Sequence, residues 1–113
     1  MDKEEIYLSV VIPVYNEEEN ILALYEELKS VLEKTGKNFE IIFVDDGSTD
    51  SSYNEIQDIH KRDPVVKAVR FRRNFGQTAA LNAGFKSAAG KLVVVLDADL
   101  QNNIEVVVGY QVV

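Results

Sequence analysis

The fold is decided by a stretch in the last quarter of the chain, which runs Leu92-Val93-Val94-Val95-Leu96-Asp97-Ala98-Asp99-Leu100-Gln101. Its first five residues are aliphatic and mostly β-branched, which is typical of a strand buried on both faces, as in a parallel sheet between layers of helices. Two carboxylates, Asp97 and Asp99, follow at once and project to the same side if the chain stays extended. Ligands of open α/β sheets bind beyond the carboxyl ends of the strands, so this pair stands where a binding site would lie.

Two neighbouring carboxylates repel each other unless a cation lies between them or one of them takes up a proton. A hard divalent ion with oxygen ligands would suit this position, and Gln101 supplies a third oxygen two residues further on. The alternative is that both acids cap the next helix. The Asp-x-Asp pair on its own favours neither interpretation.

Three other apolar runs predict strands, and helical periodicity fills the intervals between them. The strands are predicted within residues 6–15, at Phe39–Val44 and at Val65–Phe71, the last as an edge strand because it is less apolar and flanked by basic residues. The helices are predicted from about Glu17 to Lys34, from Ser52 to the Asp63-Pro64 stop, and from Gln77 to Ala89. This order predicts a single α/β domain, residues 1–113, with a doubly wound, mainly parallel sheet and helices on both faces.

Local signals refine these elements. Asn16 with Glu19, and Ser52 with Glu55, have the spacing of capping boxes at the starts of the first two helices. Small residues in the third helix predict a close approach to the sheet; they are Ala79, Ala80, Ala83, Gly84 and Ala88.

The tail does not fit the parallel pattern. Residues 104–108 and 110–113 read as strand, but a parallel crossover takes at least about 10–12 residues and too few separate this segment from Asp99. Either the tail lies antiparallel beside its neighbour, or a segment is missing.

The formal charge of −7 is unevenly distributed. Residues 1–60 carry 4 Lys and Arg against 15 Asp and Glu, whereas residues 61–91 carry 8 against 1. The overall acidity argues against nucleic acid as the main partner. The basic stretch suits phosphates or an anionic membrane surface, or is simply a solvated face. With no cysteine and no apolar run of about 20 residues, the chain is expected to be cytoplasmic.

Several site types are excluded by their missing residues. No phosphate-binding glycine fingerprint follows any strand, which argues against a P-loop enzyme or a dinucleotide dehydrogenase. Ser51 and Gln57 stand where a calcium loop begun at Asp46 needs Gly and Glu. His60 is the only histidine of the sequence, so a zinc site is not expected. Its side chain is expected to be solvated.

What remains is a repeated arrangement in which acidic side chains follow three strands: Glu17, Asp45, Asp46, Asp97 and Asp99. Like charges gathered at one edge of a sheet cost stability, so a stable fold gains nothing from them. A metal-dependent site for a phosphorylated ligand would explain the convergence.

Four segments in the same order resemble the family 2 glycosyltransferases, closest to the dolichol-phosphate mannose synthase and bactoprenol glucosyltransferase branch. They are Val11-Ile12-Pro13-Val14-Tyr15-Asn16-Glu17, Val44-Asp45-Asp46-Gly47-Ser48-Thr49-Asp50, Arg73-Asn74-Phe75-Gly76 and Asp97-Ala98-Asp99-Leu100-Gln101. The resemblance implies a GT-A-type, Rossmann-like fold, truncated here, with the acceptor half and any membrane helices of the family absent.

The same resemblance implies a hexosyltransferase that binds a UDP- or GDP-linked sugar for inverting transfer to a polyprenyl phosphate, either dolichyl or undecaprenyl, at the cytoplasmic face of a membrane. It implies that Pro13, Tyr15 and Glu17 line the nucleotide pocket and that Asp45 or Asp46 reads the base. It places Asp97 near the ribose or sugar, and Mg²⁺ or Mn²⁺ on Asp99 and Gln101 with Asp97 beside them. No residue of this chain is assigned as a general base.

Two alternatives remain. A noncatalytic nucleotide-sugar binding module would bind the donor without transfer. A phospho-acceptor signalling domain also gathers aspartates at strand ends, but it needs its acidic pair after the first strand, and here the pair follows the second.

Overall fold

The computed structural model describes residues 5–98 and, for the backbone alone, residues 107–110. Strands and helices alternate as the sequence predicts. Their bounds are β1 (Leu8–Val14), α1 (Ile21–Glu33), β2 (Phe39–Asp45), α2 (Ser52–Arg62), β3 (Val66–Arg70), α3 (Gln77–Ser87), β4 (Leu92–Val95) and β5 (Val107–Tyr110).

The strands of the described residues form one sheet in the order β3-β2-β1-β4-β5. β1 to β4 run parallel, which confirms the doubly wound parallel sheet, and β3 lies at an edge as predicted. β5 pairs antiparallel with β4, with Val107 opposite Val95. This confirms the antiparallel alternative for residues 107–110, whereas the other predicted tail residues, 104–106 and 111–113, lie outside the described part of the chain.

Helices cover both faces of this sheet because alternate strand residues point to opposite sides. Val10 and Ile12 of β1 are buried in a core with α1 and α2, whereas Val11 belongs to a second core beneath α3. Burial on both faces is confirmed for β1 and β2, whereas in β4, the strand for which it was predicted, Val93 alone is fully buried and Leu92, Val94 and Val95 are partly exposed. Among the described helices, none combines the length and the apolar character that crossing a bilayer requires.

Close packing of α3 on β1 depends on Gly84. A Cβ atom at this position would lie 2.3 Å from Cγ1 of Val11, well inside van der Waals contact. The small residues predicted to let this helix approach the sheet do so.

The two predicted capping boxes are wrong. α1 begins at Ile21 rather than Glu17, and its N-cap is Asn20, so Asn16 lies four residues before the cap. α2 has Ser51 as its N-cap, and neither N-cap side chain forms a capping hydrogen bond. The physical reason is that the Asn16 and Ser52 side chains accept hydrogen bonds from backbone groups of a different loop.

Other boundaries differ from the prediction by one or two residues: β3 runs from Val66 to Arg70 rather than Val65 to Phe71, and β4 ends at Val95 rather than Leu96. For two further boundaries the structure shows the cause. β2 continues through Asp45, which pairs with Val14 in the ladder and whose carbonyl accepts the Phe71 N–H at 2.9 Å. α3 ends at Ser87, before Ala89, because the Ala89 N–H donates to the Glu40 carboxylate at 2.6 Å instead of continuing the helix.

Candidate functional site

A cleft of about 210 Å³ opens at the carboxyl ends of the parallel strands. The residues that line it come from the end of β1, the loop after β2, the start of α3 and the segment after β4. They are Pro13, Val14, Tyr15, Glu17, Asp46, Gln77, Asp97 and Ala98. The cleft thus lies where parallel α/β sheets place their ligands.

Five of the residues predicted for the site meet in this cleft: Pro13, Tyr15, Glu17, Asp46 and Asp97. Asp45, which was predicted together with Asp46, is fully buried and does not line the cleft. Asp99 and Gln101, predicted to hold the metal, lie outside the described residues. The structure therefore joins the first, second and fourth strand ends in one place, and it leaves the individual roles as predictions.

Asp46 connects the loop after β2 to the start of α3. Its Oδ1 accepts the Phe75 N–H at 2.7 Å, and its Oδ2 accepts the Gly76 N–H at 3.1 Å. Gly76 is the N-cap of α3, so the carboxylate satisfies backbone donors at a helix start, where negative charge is favourable. Asp46 is 5% exposed, and it both lines the cleft and fixes one of its walls.

Asp45 has a different environment because successive strand residues point to opposite faces of a sheet. Its Oδ1 accepts the Ser48 N–H at a long 3.3 Å. Its Oδ2 is buried without a hydrogen-bond partner among the described residues. A buried polar atom without a partner costs stability, so Asp45 is an exception that the fold alone does not explain.

Asn16 joins the β1–α1 loop to the β2–α2 loop. Its φ of +52° is left-handed, a conformation that asparagine tolerates better than most residues. Its Oδ1 accepts the Thr49 N–H at 2.8 Å and the Asp50 N–H at 3.3 Å, while its own N–H donates to Oγ of Ser48 at 2.9 Å. These bonds fix the backbone on which the neighbouring cleft residues, Tyr15 and Glu17, are carried.

A second set of bonds joins the same loops. The Glu17 N–H donates to Oγ of Ser52 at 2.8 Å, and the Glu18 N–H donates to Oδ2 of Asp50 at 3.3 Å. Burial alone raises the pKa of Asp50, but the hydrogen bonds from Ser52 and from the Glu18 N–H outweigh it, so this pKa lies below its ordinary value. The carboxylate is therefore held in its charged form. We call these hydrogen bonds between the β1–α1 and β2–α2 loops the brace between the loops.

Gly47, in the loop after β2, lets the loop between β3 and α3 pack closely against it. Its φ is +72°, and a Cβ atom here would lie 2.2 Å from the carbonyl carbon of Arg73. Only glycine meets both conditions, because a side chain would be strained by the dihedral angle and would clash with the backbone. Asn74 adds a bond across the same contact, with Nδ2 3.3 Å from the Asp46 carbonyl oxygen.

The predicted metal site is only partly described. Within residues 5–98, no group of three or more acidic, histidine or cysteine side chains is arranged to hold a metal ion. Of the three predicted ligands, Asp97 alone lies in this range, and its exposed side chain borders the cleft. Asp97 is a cleft-lining carboxylate, which is the ligand type that a hard divalent ion takes, and its role as a metal ligand stays a prediction.

Gln77 lines the cleft, although no sequence pattern marks it as a site residue. It is the first residue of α3 and was assigned only to the helix. The available signal was its position directly after the Arg73-Asn74-Phe75-Gly76 segment.

His60, which was predicted to be solvated, is exposed, and its Nδ1 lies 2.6 Å from the carbonyl oxygen of Val66.

Comparison with known proteins agrees with this geometry. The profile of the family Glycosyl transferase family 2 matches residues 9–109. An uncharacterized glycosyltransferase, YkcC of Bacillus subtilis, is 43% identical over 96% of this chain, and the undecaprenyl-phosphate 4-deoxy-4-formamido-L-arabinose transferase of Pseudomonas paraeruginosa is 49% identical over 84% of it.

A solved structure extends the likeness to the fold. The mannosyltransferase PcManGT from Pyrobaculum calidifontis, in complex with GDP-Man and Mn²⁺, superposes with a TM-score of 0.66 at 27% identity over 84% of this chain. This confirms the GT-A-type, Rossmann-like architecture that the resemblance implied. The chain spans only 36% and 28% of the two curated relatives and 28% of the solved structure.

Proposed function

This chain belongs to glycosyl transferase family 2, and on that premise we propose that it is the donor-binding part of a glycosyltransferase for lipid-linked glycans. It binds a UDP- or GDP-linked sugar with Mg²⁺ or Mn²⁺, and the whole enzyme transfers the sugar with inversion to a polyprenyl phosphate. The observation that carries the proposal is the cleft, in which side chains from three strand ends meet at the ligand-binding edge of the sheet.

The nucleotide half of the ligand is assigned to one side of the cleft. Pro13, Tyr15 and Glu17 form its β1 wall, and Tyr15, which is 46% exposed, offers an aromatic ring against which a base or ribose can pack. Of the two carboxylates proposed to read the base, Asp46 lines the cleft. Asp45 lies next to it in the chain and keeps one oxygen without a partner in the described structure.

The diphosphate half is assigned to the segment after β4. Asp97 lies near the ribose or sugar, and Asp97, Asp99 and Gln101 together offer the oxygen ligands that a hard divalent ion prefers. When bound, this ion supplies Lewis-acid stabilisation of the charge that develops on the departing diphosphate. The protein's own part is to hold the cleft residues in place, and hydrogen bonds between the loops do this for Glu17 and Asp46 on the nucleotide side.

A polyprenyl phosphate acceptor is consistent with the modest chemistry that this chain offers. A phosphate monoester has a second pKa of about 6, so near neutral pH the attacking oxygen is already anionic. Such a nucleophile needs a strong general base less than a sugar hydroxyl does. The name of the Pseudomonas relative includes undecaprenyl phosphate, which supports this acceptor class. A polyprenyl chain is apolar enough to lie in a bilayer, so the proposal includes action of the whole enzyme at the cytoplasmic face of a membrane.

The noncatalytic nucleotide-sugar binding module remains the second candidate. The observation that favours it is that the described residues proposed for the cleft are all assigned to the donor, and none of them is assigned to the acceptor. A single-turnover assay with donor and polyprenyl phosphate distinguishes the two, because donor binding without any transfer supports the module.

The test of donor binding is a calorimetric titration with UDP and with GDP, each with and without Mn²⁺. We expect binding that depends on the metal and that weakens by roughly 1–3 kcal/mol in Asp97→Asn, the scale of a lost charge-assisted contact. Asp58→Asn is the matched control, since it removes an exposed carboxylate on α2 outside the cleft. Equal affinity in all three proteins, or no binding of either nucleotide, would refute the proposed site.

A further inference from the structure

One basic segment lies outside the lining of the cleft. It runs from the end of β3 into the loop that leads to α3, and its cations are Arg70, Arg72 and Arg73, all exposed. Within residues 5–98, none of the three forms an ion pair; the cations that do are Lys29, Lys67 and Lys91. Arg70 faces Tyr53 of α2, whereas the next residue, Phe71, belongs to the core beneath α3. We therefore give the name arginine surface to Arg72, Arg73 and Phe75 alone.

Aromatic rings hold two of the three guanidinium groups. The Arg70 guanidinium lies 4.4 Å from the centroid of the Tyr53 ring, and that of Arg73 lies 4.8 Å from the centroid of Phe75. Phe75 also packs edge to face against Phe71, at 5.7 Å between centroids, yet it remains 55% exposed. A large apolar ring is therefore presented to solvent among cations that lack acidic partners in the described structure.

The same loop is attached to the cleft. The Phe75 N–H donates to Oδ1 of Asp46 at 2.7 Å, and Asp46 lines the cleft. The close contact of Gly47 with the Arg73 backbone fixes the loop from its other side. The arginine surface is thus held next to the donor site by backbone contacts, which leaves its side chains available for another partner.

We propose that the arginine surface docks this domain on an anionic lipid bilayer, with the guanidinium groups at the headgroup phosphates and the Phe75 ring in the interfacial layer. Basic residues next to an exposed aromatic ring have the composition of an interfacial anchor, in which charge attracts and the ring buries apolar area. The inference rests on the proposed function, because that function places the acceptor phosphate at a membrane surface. Docking through this loop would bring the cleft to the lipid.

The distribution of charge favours a bilayer over other polyanions. The chain carries a net −7, so an anionic surface attracts it only where its cations are concentrated. A nucleic acid would need a more extended basic stripe, and the exposed Phe75 ring adds nothing to contacts with phosphate alone. A flat bilayer uses both features at once.

The test is co-sedimentation with phosphatidylcholine vesicles that contain or lack phosphatidylglycerol, at low and at high salt. We expect binding to the anionic vesicles only, weakened by salt, because screening shortens the range of the attraction. Arg72→Glu/Arg73→Glu should reduce binding at least tenfold, since each basic residue near an anionic surface contributes roughly a fivefold gain in affinity. Phe75→Ser should lower the part of the binding that persists at high salt.

The matched control is Lys61→Glu/Lys86→Glu, which makes the same change in charge on exposed lysines in the last turns of α2 and α3. It should bind the anionic vesicles within about twofold of the unmodified chain, because it changes the net charge but leaves the arginine surface intact. Equal loss in both double variants, no binding to anionic vesicles, or tighter binding to single-stranded RNA through the same arginines would overturn the inference. So would loss of UDP or GDP binding in Arg72→Glu/Arg73→Glu. Failure of nucleotide binding in the unmodified chain would instead count against the proposed function.

Discussion

The two ends of the parallel sheet bury carboxylates in opposite ways. At the amino ends of the strands, the buried Glu40 and Asp63 are each paired with a lysine, Lys67 and Lys29 respectively. At the carboxyl ends, the described structure gives the buried Asp45 and Asp46 no lysine or arginine, and their carboxylates accept only backbone N–H groups.

At the amino end, the contacts of Glu40 are complete. One carboxylate oxygen lies 2.6 Å from Nζ of Lys67, and the other accepts from Oγ of Ser9 and from the Ala89 N–H, each at 2.6 Å. Ser9 Oγ in turn accepts the Gly90 N–H at 2.8 Å. A charge that is buried with its partners holds the turn before β4 against the sheet, so this end serves stability.

At the carboxyl end, the contacts are incomplete, and one oxygen of Asp45 has none in the described structure. Burial of a carboxylate without a cation costs free energy unless something outside the chain compensates for it. We therefore infer that the buried carboxylates at the amino end stabilise the fold and that those at the carboxyl end serve ligand binding. Four predictions test this division, ordered from the largest expected loss of stability to the smallest.

Glu40→Gln should lower the free energy of unfolding by about 2–3 kcal/mol, because an amide cannot accept from Ser9 and Ala89 while also pairing with Lys67. Nucleotide affinity should not change, since Glu40 is far along the strand from the cleft. Urea denaturation measures the first quantity and calorimetry the second. Glu33→Gln, at an exposed glutamate, is the control, and a Glu40 variant as stable as this control would break the comparison.

Acid should destabilise the protein through the same amino-end groups. Burial raises the pKa of Glu40, but the Ala89 N–H, the Lys67 ammonium and the Ser9 hydroxyl outweigh it and lower this pKa below its usual value. Burial also raises the pKa of Asp63, while hydrogen bonds from Lys29, Tyr25 and the Val65 N–H lower it overall.

Carboxyls with lowered pKa values contribute stability above their unfolded-state values, about 4.3 for Glu and 3.9 for Asp, and lose it as the pH falls through the folded-state values. The free energy of unfolding should therefore fall as the pH is lowered from about 5, and it should fall less steeply in Glu40→Gln. Parallel curves for the two proteins would show that Glu40 is not responsible.

Asn16→Gly should cost about 1 kcal/mol of stability, since glycine keeps the left-handed φ and loses only the side chain's accepted bonds. The loops that carry Tyr15 and Glu17 would then be less well fixed, so nucleotide affinity should weaken several-fold. Asn38→Gly is a useful control, because Asn38 is also an exposed asparagine but lies away from the cleft. An Asn16 variant with unchanged affinity would show that the brace between the loops does not serve the site.

Much of the fold could be predicted from local sequence. Continuous apolar runs such as Leu92–Val95 predict buried strands because burial on both faces leaves no polar position. Gly36 and Asp63-Pro64 end the first two helices for equally local reasons. These signals depend on neighbouring residues alone, so the parallel sheet and its helices were found correctly.

The errors arose where a polar side chain chose a distant partner. Asn16 and Ser52 have the residue type and spacing of helix caps, yet their acceptor oxygens bind amides 33 and 35 residues away. A hydroxyl or amide oxygen accepts equally well from an N–H of the next helix and from an N–H of a distant loop. The local sequence pattern therefore does not distinguish a helix cap from a bond between loops. The same applies to Ala89, whose N–H leaves the helix for Glu40, 49 residues earlier.

The candidate site was predictable in outline. Clustered acids at strand ends, Glu17 among them, indicated an edge of the sheet, and the family resemblance added Pro13 and Tyr15, which carry no such signal by themselves. Nothing local separated Asp45 from Asp46, because the difference between them is the face of the sheet to which each points. Gln77 entered the cleft only through the fold.

The most direct test of the division is the free energy of unfolding of Asp45→Asn, measured by urea denaturation beside Glu40→Gln. A neutral amide costs less to bury than a carboxylate whose second oxygen has no partner in the described structure. We expect Asp45→Asn to be as stable as the unmodified chain, or more stable. A loss of about 2 kcal/mol, as large as that expected for Glu40→Gln, would show that the carboxyl-end acids also serve the fold, and would contradict the account.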